Sequence, residues 1–280
     1  MTRTKTPSVE IILPVYIARG DRTVEWLNQA ITSVFEQSYD NWHLTLVDDG
    51  SPFDIEPLLA KWTSDYPRLI SYMMNEGENG ASKARMLAAR HSARDIVMFL
   101  DQDDRYHPEK VARQVEFMQQ HPSVSAVHTN IEIIDERGDP VDGVADRENQ
   151  MRSDIDYLAL SKQDLASSLF ARNSIRIISG AFKRSDFMMI GGYDCELNGG
   201  EDWELWVRFA DSYRIGHLGA NLLQRRVHNG NTSKTQITTR AAGMIKAMEK
   251  MIQHHGYLQP LETDKRAQLE AKLNKLTHAA

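Results

Sequence analysis

With 280 residues, 41% of them apolar and 26% charged, the chain has ordinary globular composition and can bury one substantial core, or a core with a small subdomain. A formal net charge of -6 excludes the clustered excess of Lys and Arg that a nucleic-acid surface needs, so any polyanion must be met locally or through a metal. The single cysteine, Cys195, excludes an internal disulfide, and no apolar run approaches the roughly 20 residues that span a bilayer.

The N-terminal stretch Met1 to Ser8 is short, polar and basic, so a cytoplasmic protein is expected, with peripheral contact at the inner membrane face left open. Val9 to Tyr16 (VEIILPVY) reads as an apolar strand, and Pro14 near its end removes a backbone donor, so pairing is expected to stop there. After a loop with Gly20, Leu27, Ala30, Ile31, Val34 and Phe35 recur at helical spacing over Thr23 to about Gln37. His43 to Val47 is a second strand ending in Asp48-Asp49-Gly50-Ser51-Pro52. Strand, helix, strand with acids at a carboxyl end is the pattern of a parallel α/β sheet, where ligands sit beyond those ends.

Ile55, Leu58, Leu59 and Trp62 make the next helical face, and Leu69 to Met73 a third strand. The polar loop Asn75 to Ser82 opens a helix in which Ala84, Leu87, Ala88 and His91 share one face, with Ser82 the candidate cap. Lys83 and Arg85 in its first turn oppose the helix dipole. A bound phosphate would relieve that conflict, and pairing with Glu76 or Glu78 is the alternative.

Ile96 to Leu100 is an apolar run of a strand buried on both faces, and it ends in Asp101-Gln102-Asp103-Asp104. Carboxylates one and three positions into such a tip can turn toward one divalent cation, which then accepts phosphate oxygens; a solvated acidic loop start is the other reading. Pro108 begins a helix with Val111, Val115 and Met118 inward, and Val124 to Ile134 is strand-like up to the turn cluster at Asp135 to Pro140. From Asp139 to Gln163 the chain is polar and weakly periodic, as in a mobile loop or an insertion over a site.

Ser174 to Phe182 reads as a strand, and Phe187 to Tyr193 as a compact apolar turn. Asn198-Gly199-Gly200 then leads into Glu201-Asp202 at the start of an aromatic-rich helix, where acids suit the dipole whatever else they do. Gln224 to His228 follows a short apolar strand, and Asn231-Thr232-Ser233 matches a glycosylation acceptor pattern by chance. Two tail helices follow, one lined by Ala241, Met244, Ile245, Met248 and Ile252, the other by Leu269, Leu273 and Leu276. These stripes suit a core or a homo-oligomer contact. Lys246, Lys250, Lys265, Arg266, Lys272 and Lys275 give the tail a basic face, solvated or turned to an anionic membrane.

The ordered set ILPVY, VDDGS (47–51), NGASKAR (79–85), FLDQDD (99–104), GAFKRSDFMMIGGYD (180–194), GEDWELWVRFA (200–210) and RRVHNGNTS (225–233) resembles the family 2 nucleotide-sugar-dependent glycosyltransferases. The resemblance covers about residues 8–234. It implies a GT-A fold: an α/β, Rossmann-like nucleotide-binding mixed sheet flanked by helices, with a C-terminal helical tail. The division it implies is a glycosyltransferase domain over 1–234, with a nucleotide-binding half to about 130 and an acceptor-binding half over 131–234, and a tail over 235–280.

By the same resemblance Pro14, Val15, Tyr16 and Asp48 or Asp49 lie near base and ribose. A carboxylate there accepts the N3 proton of uracil, which cytosine lacks; this favours a UDP-sugar modestly, since guanine also offers N–H donors and thymine shares the uracil edge. Asp101 and Asp103 form the DXD motif for Mn2+ or Mg2+ against the diphosphate, with Gln102 between them and Asp104 beside them. Arg85 supports the phosphates or the acids, Arg225 and Arg226 are late diphosphate contacts, and His228 is a further candidate metal ligand. Asp202 matches the general base of inverting members, which deprotonates the hydroxyl of a glycan or lipid-linked acceptor. Met86 departs from the asparagine frequent in the family. The alternatives are a metal-dependent nucleotidyl or phosphoryl transferase, for which Val15 to Gly20 is too poor in glycine, and a non-catalytic scaffold that binds sugar nucleotides, which the intact Asp101, Asp103 and Asp202 disfavour.

Overall fold

Continuous apolar runs, which can only be buried between two layers of helices, supply the centre of the sheet. Val9–Val15 (β1) is buried along its whole length, as is Ile96–Phe99 (β4). Trp42–Asp48 (β2) and Ile70–Met74 (β3) join them as parallel neighbours. In this computed structural model residues 6–18, 22–67, 69–76, 79–172, 174–230 and 237–277 are described, the side chains of 237, 238 and 272–277 excepted. Gly20, Glu78, Asn231, Thr232 and Ser233, and the side chains of Lys272, Leu273, Lys275 and Leu276, lie outside the described residues.

The sheet has eight strands in the order β3-β2-β1-β4-β7-β6-β8-β5, completed by Arg105–Tyr106 (β5), Val124–Ile134 (β6), Ala181–Lys183 (β7) and Arg214–Arg226 (β8). β7 runs antiparallel to both β4 and β6, β6 and β8 are parallel, and β5 closes antiparallel on β8. A parallel half, β3-β2-β1-β4, thus passes into a mixed half through the three-residue β7.

Pro14 stops pairing on one side only. Toward β4 the ladder ends at Ile12, whose carbonyl accepts the Leu100 N–H, whereas toward β2 it continues through Pro14 and Val15. The carbonyl of Val15 accepts the Asp49 N–H at 2.8 Å. β1 therefore overshoots β4, and Tyr16 stands beside the Asp101 to Asp104 tip.

The helices are Thr23–Phe35 (α1), Glu56–Asp65 (α2), Ala81–His91 (α3), Lys110–Gln120 (α4), Asp146–Ser153 (α5), Lys162–Arg172 (α6), Arg184–Met189 (α7), Glu201–Ser212 (α8), Ile237–His254 (α9) and Glu262–Thr277 (α10). α3 packs on β1 and β2, α4 on β6 and β8, and α8 against α6 and β8. One continuous apolar core runs from β1 to the tail helices.

Several expectations need correction. Ser82 does not cap α3: the cap position is Gly80, and Ser82 is buried in the first turn. Leu58 is exposed, leaving Leu59 as the buried residue of α2. The segment 139–163 is no open loop but contains α5, a hydrophilic helix whose buried side chain is Arg152, donating to the carbonyl of Ser174 and to Asn149 Oδ1. Residues 174–182 form a short 3-10 turn (Ile177–Ser179) before the brief β7, and 187–193 includes the end of α7.

The stripe on α9 is internal: Ala241, Ala247, Met248, Met251 and Ile252 are buried against the chain itself. Several of the basic tail residues have partners within the chain, and Lys265 is buried. Lys250 pairs with Asp194 and Glu196, Lys265 donates to the carbonyl of Ala171, and Arg266 pairs with Glu249 and Glu262. Among the described residues no helix is long and apolar enough to cross a membrane.

Candidate active site

The strand ends place the acids. β4 stops at Phe99, and Asp101, Asp103 and Asp104 each bring a carboxylate oxygen to within 4.8 Å of the others. Asp104 is buried, and its Oδ1 accepts the Arg226 N–H at 2.7 Å. Burial, with Asp103 and Asp101 beside it, pushes the Asp104 carboxyl well above the usual carboxylate range. Three crowded oxygen donors of one sign are the chemistry a hard divalent cation relieves, so the set fits Mn2+ or Mg2+.

Asp103 is met from the far edge of the sheet. Its Oδ2 lies 2.8 Å from His228 Nε2, and the His228 ring lies against Trp26 of α1 with centroids 4.5 Å apart. His228 thus stands at the acid cluster through Asp103. Arg226 does not reach into the cleft. It is fully buried, and its guanidinium donates to the carbonyls of Asp103, Asp135 and Glu136 and to Gln29 Oε1 while lying over the Trp26 ring. The expected diphosphate contact is corrected accordingly: Arg226 ties the acid loop to α1 and the 135–136 turn. Arg225 stays partly exposed at the end of β8, close enough to Asp104 and Glu148 to act on both.

Gln102 has a definite task. Its Oε1 accepts the Tyr16 N–H at 2.7 Å and its Nε2 donates to the Tyr16 carbonyl at 2.8 Å, which clamps the end of β1 to the acid loop and leaves the Tyr16 ring half exposed. Pro14 and Val15 are buried or nearly so in the β1 ladder beneath it. At the end of β2, Asp48 Oδ1 accepts the Ser51 N–H at 2.9 Å, with the Tyr72 hydroxyl 3.4 Å from Oδ2. Asp49 Oδ1 accepts from Asn75 Nδ2 and from the Gly80 N–H, so it anchors the start of α3. Burial raises the Asp49 carboxyl above its ordinary value, against those two bonds and Arg85.

Arg85 is the hinge of the site. Buried in α3, it donates from Nη2 to Asp101 Oδ1 at 2.5 Å and from Nη1 to the Tyr193 hydroxyl at 3.3 Å, with Asp202 Oδ1 3.8 Å from Nη1. Burial opposes its charge, but Tyr193, Asp101 and Asp202 outweigh burial and hold its pKa above the ordinary value. Arg85 thus pairs with the acids of the site. Asp202, in the first turn of α8, is pushed up to about 6, by burial first, then by Glu201 and Asp101, with Arg85 and Arg240 acting against the rise. A third of its side chain remains exposed, so the group is desolvated but reachable.

Sequence reasoning missed Tyr193, Trp26 and Gln29. Tyr193 stood inside the quoted GGYD turn, where its hydroxyl was the available signal; the other two lie on an amphipathic helix and look like ordinary face residues.

A sequence profile described as glycosyl transferase family 2 matches residues 10–171. The chain belongs to glycosyl transferase family 2. An uncharacterized glycosyltransferase of Rickettsia conorii is 25% identical over 85% of this chain, which spans only 36% of that relative. TuaG of Bacillus subtilis, assigned by name to teichuronic acid biosynthesis, is 30% identical over 49% of this chain and 51% of its own. Among solved structures, a mannosyltransferase of Pyrobaculum calidifontis in complex with GDP-Man and Mn2+ aligns with TM-score 0.65 at 20% identity, over 99% of this chain and 77% of that one. S. aureus TarS 1-349 in complex with UDP-GlcNAc aligns with TM-score 0.63 at 14% identity, over 86% of this chain and 66% of that one. These likenesses carry the fold, and the eight-stranded mixed sheet flanked by helices agrees with the GT-A architecture of the family 2 chain.

Proposed function

We propose that this family 2 chain transfers a glycosyl group, with inversion, from a nucleotide-diphosphate sugar to a hydroxyl of a glycan or lipid-linked acceptor. The observation that carries the reading is the buried guanidinium of Arg85, which joins Asp101 of the acid cluster to Asp202. Groups suited to a leaving diphosphate and a group suited to proton abstraction are thereby held about one fixed cation.

Asp101 and Asp103, with His228 as a further ligand candidate, would hold Mn2+ or Mg2+, and Asp104 supports the loop beneath them. A divalent ion held there would supply electrostatic stabilisation of the departing nucleoside diphosphate. Asp202 takes the acceptor proton while the acceptor oxygen bonds to the anomeric carbon and the bond to the diphosphate breaks, its electron pair leaving with the phosphate. A base near 6 is better matched to that transfer than an ordinary carboxylate. One in-line displacement inverts the anomeric centre. Arg85 supports the acids, and Arg225 is placed to meet diphosphate oxygens.

Tyr16, Pro14, Val15 and Asp48 or Asp49 border the nucleoside, and a carboxylate there favours uracil N3–H over cytosine, which lacks that proton. The UDP-GlcNAc complex of TarS supports a uridine donor, and the GDP-Man complex of the Pyrobaculum enzyme makes guanosine the main competitor. The name of TuaG supports an acceptor in surface polysaccharide synthesis.

Calorimetric titration of UDP, GDP, CDP and dTDP into the purified protein with Mn2+ and then with chelator tests the donor site. UDP binding that needs Mn2+ and is lost in Asp103→Asn is the expected result. Silence with all four nucleotides would sink the assignment and favour a scaffold. Asp202→Asn should bind UDP normally and lose transfer, since base and donor contacts lie on different elements.

A further inference from the structure

Asp202 does not hold its own orientation. Both contacts that fix its carboxylate fall on Oδ1: the Tyr193 hydroxyl donates to it at 3.2 Å, and Arg85 Nη1 lies 3.8 Å away. We propose that Tyr193 is the positioning residue of the base, its hydroxyl fixing Oδ1 so that Oδ2 takes the acceptor proton. The proposal rests on Asp202 being the base.

The chain has gone to some length to place this hydroxyl. Tyr193 is 4% exposed, with its ring against Phe99 at 5.9 Å and Phe187 at 6.2 Å between centroids. Its N–H lies 3.3 Å from the Met86 sulfur, so the methionine that departs from the family pattern sits beneath the turn that carries Tyr193. Gly192, at φ +65°, lets that turn close over Met86; a Cβ there would come within 2.3 Å of the sulfur. Arg208 fixes the same turn from α8, donating to the carbonyls of Ile190 and Gly192 at 2.6 Å each and pairing with Glu204.

The direction of the hydrogen bonds follows from the surroundings. Burial first, then the nearby carboxylates, raises the Tyr193 phenol well above its ordinary value, so the hydroxyl keeps its proton and can only donate it to Asp202 while accepting from Arg85. Donation to a carboxylate stabilises its ionised form, the form a base requires. The other charged groups facing Asp202 are Arg85 on α3, Asp101 at the β4 tip, Glu201 on its own helix and Arg240 on α9. None of them is a neutral donor at hydrogen-bond distance from Oδ1.

The test is Tyr193→Phe in the full chain, with Mn2+ and whichever UDP-sugar the transfer screen selects. The ring contacts survive, so donor affinity should stay within about twofold while kcat falls about 10- to 100-fold, the range of one hydrogen bond to a charged group. The acidic limb of kcat should move to higher pH, because the ionised base has lost a donor. Site-specific 3-fluorotyrosine at 193, a stronger donor on a ring of nearly the same size, should move the limb the other way. In an Asp202→Asn background Tyr193→Phe should cost residual transfer nothing further. A Tyr193→Phe enzyme with wild-type kcat and pH profile overturns the proposal and leaves the base assignment standing. Loss of UDP binding in proportion to kcat also overturns it, since the residue would then serve the donor. Full transfer by Asp202→Asn alone would remove the base, and the proposal with it.

Discussion

A lysine in place of Arg85 keeps the charge but offers one ammonium where a planar fork reaches Asp101 from one nitrogen and Tyr193 and Asp202 from the other. Arg85→Lys is therefore expected to lower kcat about 10- to 100-fold and to reduce Tm, since at least one buried acid contact is lost. Steady-state rates and a melting curve check both. Asp202 yields a second expectation at this scale. Its folded value of about 6 lies above the ordinary carboxylate value of 3.8, so the folded state holds its proton longer than the unfolded chain does. Stability from this group is thus lost as pH rises from about 4 to about 6. Discounted for its exposed third, the cost at neutral pH is on the order of 1 kcal/mol. With chelator present, the Tm of wild type relative to Asp202→Asn should fall between pH 4.5 and pH 7.5. A constant difference would contradict the raised value. Activity should show the same group as an acidic limb near 6.

At the scale of elements, the unforeseen feature is how α9 supports the turn that carries Asp202. A Cβ on Gly243 would lie 2.6 Å from the Asn198 carbonyl oxygen, and Arg240 pairs with Glu201 at 3.6 Å. The helix therefore presses backbone to backbone on the loop that carries Glu201 and Asp202. Gly243→Val should displace that loop and cut kcat at least tenfold while UDP binding, whose proposed contacts lie on other elements, stays within about twofold. Calorimetry beside an activity assay separates the two. The sequence told of α9 and its stripe but not of its partner, because a glycine marks a close approach without naming what approaches. The apolar runs of β1 and β4 and the amphipathic faces of α1 and α4 were legible from local pattern alone. α5 was not, since its buried residue is the charged Arg152 and no apolar face repeats. β7 was blurred because three residues are too few to set a period, and it joins its neighbours only through tertiary pairing.

For the whole molecule, the acid cluster is where distant parts of the chain meet: Asp101 and Asp103 beyond β4, Arg85 from α3, His228 beyond β8 and Trp26 from α1. Family motifs flagged the acids and the histidine, but only the fold brings Arg226 beneath them and Gln102 onto Tyr16, because those bonds join residues 123 and 86 apart in sequence. A site assembled from elements so far apart exists only in the folded state, so a cation that binds it must stabilise the whole fold by mass action. At a Mn2+ concentration 100 times its Kd the gain is about 2.7 kcal/mol, which for a domain of this size raises Tm by about 5 °C. Asp103→Asn should lose most of that increment, and its metal-free form should melt no lower than wild type, since one of three crowded carboxylates has been neutralised. Asp202→Asn, at the other end of Arg85, should respond to Mn2+ as wild type does. Melting curves with Mn2+ and then with chelator measure all three; an Asp103→Asn protein that still gains the full increment would place the ion elsewhere.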